Sequence, residues 1–426
     1  MAIKESVRKR TPKALAAYHF LWAWLGARLH RHPSRRLFTI GVTGTKGKTT
    51  TVELVNAILE AAGKRTAVLS SLREKIGDDS NKNAIGNSMP GRGYIQKFLR
   101  AAREAGCQYA VIEVTSQGVV QHRHRFIDWN LGVITNLSPE HIEAHGSFEN
   151  YRKAKLDFLL YVAKHGGKVF VNRDDPNAGF FLGELSRVGD CAIEYARTDM
   201  QLMDHLSRVE RMRESAEFGE RPGFRLANLN EGNIAAAIAI AKEMGIPDRT
   251  IETALAGFRG IPGRMEFVTA GPYTAIVDYA HTPDSLEAAY RTARRELGDG
   301  GRLICVLGAA GGGRDRWKRP EMGKIAAHYC DEAIVTNEDP YDEDPEAIID
   351  AVAEGAMQMP YPKPAILKVA DRREALARAI DALQPGDIMI ATGKGSEDWI
   401  HLAGGKKVPW NERIVVEELL SAKQPA

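Results

Sequence analysis

GVTGTKGKTT, residues 41–50, fixes more of the architecture of this chain than any other stretch. The β-branched run RLFTIGVT leads into it. TTTVELVNAILEAAG follows, with Val52, Val55, Leu59 and Ala62 at helical spacing and Gly63 as the stop. A strand, a glycine-rich turn, Lys-Thr and a helix start make a setting for phosphate. Backbone N–H groups and the helix N-terminus offer positive potential to oxyanions. The spacing departs from the common phosphate loop G-x-x-x-x-G-K-[ST], because counting back from Gly47-Lys48-Thr49 puts Val42 at the first glycine position. The nucleotide-side candidates are Gly44, Thr45, Lys46, Gly47, Lys48, Thr49 and Thr50. Lys48 has the reach for terminal phosphates, and the Thr49 hydroxyl can ligate Mg²⁺.

Beyond the loop, short apolar runs alternate with longer amphipathic ones. RTAVLS, QYAVIEV and LGVITN read as strands, and strand–helix alternation predicts an α/β fold with a parallel sheet covered on both faces. A second α/β series begins near residue 265. YTAIVDYA, RLICVLGAA, EAIVTN, AILKVA and DIMIATG are strand-like, separated by the helical patterns SLEAAYRTARREL, EMGKIAAHY, DPEAIIDAVAEGAM and RREALARAIDAL. IPGR at 261–264 reads as a hinge between the two series, and the charged, weakly periodic stretch 196–225 reads as irregular. At 426 residues the chain exceeds one ordinary domain. The expected division is a short basic helical segment 1–36, an ATP-binding domain 37–264 and a Rossmann-like domain 265–426.

Charge is uneven along the chain. Residues 1–36 carry nine Lys/Arg against one acid, Glu5, which leaves a net −5 on the remainder. The body is therefore not a nucleic-acid binder by charge. The basic segment contains ALAAYHFLWAWLGA, residues 14–27, too short to span a bilayer. It reads either as a helix packed on the body or as one lying at a membrane surface, its aromatic residues flanked by bases. No small-residue cleavage site follows it, so no cleavable signal peptide is expected. Cys107, Cys191, Cys305 and Cys330 are scattered, with no C-x-x-C pair. That pattern predicts a reducing, cytoplasmic setting, at most at the inner membrane surface, with neither zinc ribbon nor disulfide frame.

The T-G-T-x-G-K-T-T form resembles the loop of the Mur ligase superfamily, which makes peptide bonds at ATP expense, and that of folylpolyglutamate synthases. EVTSQ (113–117), NLSPEHIEAHG (136–146), YRKAK (151–155) and NEGN (230–233) resemble further motifs of the superfamily, in family order. GRME (263–266), DYAHTPDSL (278–286), GGGRDRWKRPEMG (311–323) and GKGSE (393–397) are similar to the branch that adds the third residue of the cell-wall peptide, the UDP-N-acetylmuramoyl-tripeptide synthetases. The resemblance implies a ligase in which ATP converts a carboxylate to an acyl phosphate and an amine then displaces phosphate. The acceptor would be a UDP- or lipid-linked muramoyl peptide, and the second substrate an amino acid. By the same resemblance Glu113 and His141 are Mg²⁺ ligands, and Lys155 is the lysine that the family carbamylates. With Lys48, these make up the catalytic set. Asn230 and Asn233 match positions near adenine, and Arg264 and Asp278 match a hinge arginine and a ribose-side acid. Arg314, Glu338, Asp339, Tyr341, Gly393 and Glu397 match positions around the incoming amino acid.

Three departures qualify the resemblance. The tripeptide-forming branch has a whole domain ahead of the phosphate loop to grip the UDP-sugar, whereas about 36 residues precede it here. The grip is then lost, replaced, or rebuilt from NSMPGRGY (87–94), and a lipid-linked carrier would suit the basic, aromatic front helix. The branch selects diaminopimelate with D-N-P-R, where this chain has Glu338-Asp339-Pro340-Tyr341 and so lacks the arginine that would clamp a distal carboxylate. The acidic run EDPYDEDP would suit an amino acid with a positive side chain, although such a run ahead of a helix is commonly a solvated N-terminus. Gly313 and Ser396 stand where the branch has Asp and His. Two alternatives remain at this level: a folylpolyglutamate-type ligase, which DYAHTPDSL and GKGSE disfavour, and a non-catalytic ATP-binding scaffold, which the complete set Lys48, Thr49, Glu113, His141 and Lys155 disfavours.

Overall fold

Two sheets organise the computed structural model, which describes residues 12–83, 85, 87–91, 93–140, 142–213, 231–298, 300–313, 316–360 and 364–423. The chain divides into two compact units, with the break between Phe258 and Arg259.

The first unit holds an eight-stranded sheet. Its strands are β1 (Phe38–Thr43), β2 (Thr66–Leu69), β3 (Arg73–Ile76), β4 (Asp79–Lys82), β5 (Tyr109–Glu113), β6 (Leu131–Ile134), β7 (Lys168–Asn172) and β8 (Ala192–Tyr195), in the order β4-β3-β2-β5-β1-β6-β7-β8. The six strands β1, β2 and β5–β8 run parallel. Their near-continuous apolar sequences follow from helices covering both faces: Ile40, Val42, Ala110, Val111 and Ile112 are fully buried. The expectation of a purely parallel sheet needs one amendment here, because β3 and β4 form an antiparallel hairpin on its edge, turning at Gly77 with φ 60°. Its residues are mostly half-exposed or exposed, so the apolar signal that marks the central strands is missing.

The longer helices of this unit are α1 (Pro12–Leu29), α2 (Lys48–Ala61), α3 (Tyr94–Glu104), α4 (Phe148–Lys164), α5 (Met200–Arg213), α6 (Glu231–Glu243) and α7 (Asp248–Gly257), besides a nine-residue helix at Ala178–Ser186 and shorter helical turns. The reading of 196–225 as irregular is corrected over 200–213. There Leu202, His205 and Val209, at i, i+3 and i+7, turn inward and α5 packs on α7. The rest of that stretch, from residue 214, lies outside the described residues. Helix α1 packs on α3 through small residues: a Cβ added at Gly26 would sit 2.7 Å from Gly93 Cα. Its other side, with Tyr18, Leu21 and Trp24 at helical spacing, is exposed.

The second unit holds β9 (Glu266–Ala270), β10 (Tyr273–Asp278), β11 (Leu303–Leu307), β12 (Glu332–Val335), β13 (Ala365–Lys368) and β14 (Ile388–Thr392), in the order β13-β12-β11-β14-β10-β9. All are parallel except the edge strand β9. Helices α8 (Pro283–Arg295), α9 (Lys318–Tyr329), α10 (Pro345–Met357), α11 (Arg372–Asp381) and α12 (Glu412–Lys423) cover the two faces. The chain leaves β11 outward to β12 and β13, then returns to place β14 on the other side of β11. That reversal opens a crevice at the carboxyl ends of β11 and β14, the usual ligand position in such sheets. One sequence expectation fails in this unit. Cys305 on β11 and Cys330 at the end of α9 form a disulfide, their Cα atoms 6.0 Å apart. The helix returning across the sheet brings together two residues that sequence spacing leaves unconnected. Cys107 and Cys191 are free.

Candidate active site

The glycine-rich turn lies at the carboxyl end of β1, between the ends of β5 and β6. Gly44 has φ 149°, and a Cβ there would meet Thr135 Oγ1 at 1.9 Å. Gly47 has φ 79°, and a Cβ there would meet Asn233 Oδ1 at 2.1 Å. Both positions therefore require glycine, for backbone conformation and for space. Asn136 braces the turn: its Oδ1 accepts from the Lys46 N–H at 2.8 Å, and its carbonyl accepts from the Thr45 N–H at 3.0 Å. Thr45 Oγ1 lies 3.0 Å from Tyr151 Oη. Lys48 folds back on the turn, donating to the carbonyls of Gly44 (3.1 Å) and Thr45 (2.9 Å). Helix α2 starts at Lys48, so its first amides, including those of Thr49 and Thr50, lack intrahelical acceptors and face an incoming anion.

Beside the turn stands Glu113, at the end of β5 and 3% exposed. Its Oε2 accepts from Thr49 Oγ1 at 3.1 Å and from the Ser71 N–H at 2.9 Å. Lys155, on α4, is 1% exposed; its Nζ donates to the Gly44 carbonyl at 2.7 Å and lies 4.6 Å from the centre of the Tyr151 ring. Burial holds the Lys155 ammonium well below the usual lysine range. The neighbouring Lys48 cation adds to this, while Glu140 and Glu113 oppose it. A carboxylate and a hydroxyl 3.1 Å apart at the mouth of a phosphate-type turn suit a hard cation, which also takes water and phosphate oxygens. The residues therefore fit ATP and Mg²⁺: the turn and the start of α2 would hold the phosphates, and Thr49 and Glu113 the cation. Among the described residues no cluster of three His, Cys, Asp or Glu could hold a metal. His141, the remaining expected ligand, lies outside the described residues, as do Asn230 and Arg314. Asn233 falls within the first turn of α6 rather than capping it, and its amide fills the space over Gly47.

In the second unit most of the expected amino-acid residues converge at the ends of β12 and β14. Lys394 Nζ bridges Asp339 Oδ1 (2.9 Å) and Glu397 Oε2 (2.6 Å) while fully buried. Tyr279 Oη donates to Glu397 Oε1 at 3.2 Å. The carboxyl of Glu338 lies over Gly393, where a Cβ would meet its Oε2 at 2.5 Å. Tyr341, at φ 52°, stacks on His401 with ring centres 5.2 Å apart. The acids of EDPYDEDP are largely engaged within the unit. Asp342 accepts from the Gly404 N–H, Glu343 pairs with Arg316 and Arg319, and Asp344 caps α10. With Asp339 bound to Lys394 as well, the run offers little free charge to a cationic amino-acid side chain.

Arg264, just before β9, and Asp278, the last residue of β10, are neighbours at the end of the β9–β10 pair away from its turn. Asp278 accepts from the Met265 and Ala280 N–H groups, both at 2.7 Å, and the Arg264 guanidinium lies 4.2 Å from the centre of the Tyr279 ring. Sequence reasoning did not single out Ser71, Asn136, Tyr151, Tyr279, Lys394 or His401. Asn136, Tyr151, Tyr279 and Lys394 sit inside the motifs quoted above. The contacts of Ser71 and His401 come from tertiary placement and leave no local pattern.

Comparison with known proteins matches residues 42–241 to the Mur ligase middle domain and residues 263–395 to the Mur ligase glutamate ligase domain. A UDP-N-acetylmuramoyl-L-alanyl-D-glutamate–2,6-diaminopimelate ligase of Syntrophomonas wolfei is 38% identical over 94% of this chain and 82% of its own length. A UDP-N-acetylmuramyl-tripeptide synthetase of Roseiflexus sp. is 38% identical over 97% of this chain and 83% of its own. A solved 2,6-diaminopimelate ligase of the same description superposes with a TM-score of 0.59 at 26% identity, covering 91% of this chain and 79% of that one. A bifunctional folylpolyglutamate/dihydrofolate synthase from Yersinia pestis superposes with a TM-score of 0.64 at 17% identity over 88% of this chain and 90% of that one, a likeness of fold. The chain belongs to the Mur ligase family and is an ATP-dependent acid–amino-acid ligase of peptidoglycan precursor synthesis.

Proposed function

We propose that this ligase joins an amino acid to the free carboxylate of a UDP- or lipid-linked muramoyl peptide, with Lys48, Thr49, Glu113, His141 and Lys155 as its catalytic set. The observation that carries this reading is the meeting of Lys48, Thr49, Glu113 and Lys155 around one phosphate-type turn. ATP, held with Mg²⁺, would supply the phosphoryl group that activates the carboxylate. The protein's own part is placement and charge: amides at the start of α2 and the Lys48 ammonium face the anionic groups, and Glu113 with Thr49 offers oxygens to the cation. Arg264, Asp278, Asn230 and Asn233 are proposed for the nucleotide's base and sugar. Arg314, Glu338, Asp339, Tyr341, Gly393 and Glu397 are proposed for the amino acid. Tyr341 replaces the arginine expected to clamp a distal carboxylate, so the preferred amino acid need not be diaminopimelate.

Lys155 is proposed to act as its carbamate. Its neutral amine, favoured by burial and by Lys48, adds to CO₂ with loss of one proton, and the anion formed would then lie near the Lys48 cation. The domain division proposed from the sequence, 1–36, 37–264 and 265–426, goes with this reading. So does a cytoplasmic enzyme that meets the inner membrane surface through residues 14–27.

The test is amino-acid-dependent phosphate release with UDP-linked and lipid-linked muramoyl dipeptides side by side, and a folate acceptor as the contrast. Release with a muramoyl dipeptide is expected; release with folate alone overturns the reading. Lys155→Ala is expected to lower turnover by about 10²–10³-fold while ATP affinity stays within a few fold. A short-chain carboxylate should restore part of the loss. Near-normal ligation by Lys155→Ala would remove Lys155 from the mechanism.

A further inference from the structure

Arg372 stands where a cation is locally disfavoured. It is the first residue of α11, at the positive end of the helix dipole, just after the capping carboxylate of Asp371. Its neighbour Arg373 behaves as surface arginines do, exposed and paired with the exposed Glu418 of α12. Arg372 turns inward instead and is 2% exposed. Its guanidinium meets three separate stretches of chain. Nη1 donates to the Asn337 carbonyl at 3.0 Å, Nη2 donates to the Thr392 carbonyl at 2.7 Å, and Nε and Nη2 form a two-pronged pair with the carboxylate of Glu412. Glu412 opens α12, is fully buried and also accepts from Trp410 Nε1. The Trp410 N–H in turn donates at 2.8 Å to the carbonyl of Asp398, the residue after Glu397.

Two of those stretches are the roots of the loops that carry the amino-acid candidates. Asn337 directly precedes Glu338 and Asp339; Thr392 ends β14 and directly precedes Gly393 and Lys394. The loops also touch beyond their roots, where Lys394 reaches Asp339 and the Glu338 carboxyl lies over Gly393. A shift of one root against the other would pull those contacts apart. A planar guanidinium with fixed donors sets such a spacing, whereas a lysine ammonium is a point charge that cannot serve two carbonyls and a carboxylate in one plane. Stability does not account for the pair. Burying two charges costs solvation that their attraction barely offsets, and apolar pairs of similar volume often fold as well or better. What the pair adds is geometry. We propose that Arg372 is a positioning residue for the ligation: anchored by Glu412, it sets the distance between the 338–339 and 393–397 loops and so shapes the seat of the incoming amino acid. The proposal rests on placing the amino acid at these two loops.

The test is steady-state phosphate release by the full chain, with the muramoyl dipeptide and the amino acid that the wild type uses fastest. The double variant Arg372→Met with Glu412→Leu removes both charges together. It is expected to stay folded by circular dichroism and to raise the KM for the amino acid about tenfold or more, with the KM for ATP within about twofold of the wild type. Arg372→Lys keeps the charge and its pairing with Glu412 but not the planar fork. It is expected to raise the same KM about threefold or more, and it decides the matter if the double variant does not fold. Glu397→Gln, at the seat itself, is the reference. A raised amino-acid KM in Glu397→Gln beside a wild-type KM in folded Arg372 variants overturns the role of Arg372 and leaves the seat standing. An unchanged KM in all of them takes the amino acid away from these loops, and the proposal falls with that placement. No phosphate release by the wild type with any muramoyl acceptor overturns the functional reading, and the proposal with it.

Discussion

Glu338 shows what one buried carboxyl can do to stability. It is 5% exposed, its Oε2 has no hydrogen-bond partner, and burial pushes its pKa up to about 7 against the pull of Lys394, Lys318 and Arg372, with Asp339 adding to the rise. Below pH 4.5 the carboxyl is protonated in folded and unfolded chains alike and affects nothing. Between 4.5 and about 7 the unfolded chain releases its proton first, so folding loses stability as pH rises. The loss levels off above pH 7 at about 3 kcal/mol. Glu338→Gln has no proton to release. Its stability relative to the wild type should therefore improve by about that amount between pH 5 and pH 8, as measured by urea unfolding. A difference that does not change with pH would mean that the native carboxyl is already ionised.

At the scale of elements, legibility followed burial. β1 and β5 could be read because both faces are covered and their residues are mostly apolar or β-branched. The β3–β4 hairpin could not, since its REKI and DSNK sequences sit at an edge where little is buried. Helix α5 hid for a related reason. Two of its three inward positions are apolar, and the third, His205, lies against Glu252 of α7 with Nδ1 3.1 Å from its carboxylate. The phosphate turn was legible because backbone chemistry demands glycine there, whereas the bracing by Asn136 and Ser71 depends on distant strands. The seat of α1 belongs to the same class. Nothing local announces that Gly26 faces Gly93, yet a Cβ there would press on backbone that cannot move aside. Gly26→Val should therefore lift α1 from α3 and cost about 1–3 kcal/mol. Limited trypsin digestion should then cut at Arg28 and Arg31 sooner than in the wild type, while the rest of the chain resists as before. Equal cleavage rates would show that the contact does not hold the helix.

For the molecule as a whole, charge and apolar surface coincide at one end. Residues 1–36 carry nine bases and one acid, and within them α1 exposes Leu21 and Trp24, 56% and 39% accessible. At 18 residues α1 is about 27 Å long, and no described helix is long and apolar enough to cross a membrane. An apolar stripe beside basic residues suits the boundary between lipid headgroups and acyl chains, where each Lys or Arg near an anionic surface adds about 1 kcal/mol. Since that attraction is electrostatic it should weaken as salt rises, whereas burial of Leu21 and Trp24 should not. The protein should therefore co-sediment with vesicles containing phosphatidylglycerol, less with phosphatidylcholine alone, and less again in about 0.5 M salt, where the Debye length falls to roughly half its physiological value. Leu21→Glu combined with Trp24→Glu should abolish the interaction without unfolding the chain, because both side chains already face water. Co-sedimentation that this double variant leaves intact would place the lipid contact elsewhere on the surface. No co-sedimentation by the wild type at low salt would leave the exposed face of α1 without a membrane role.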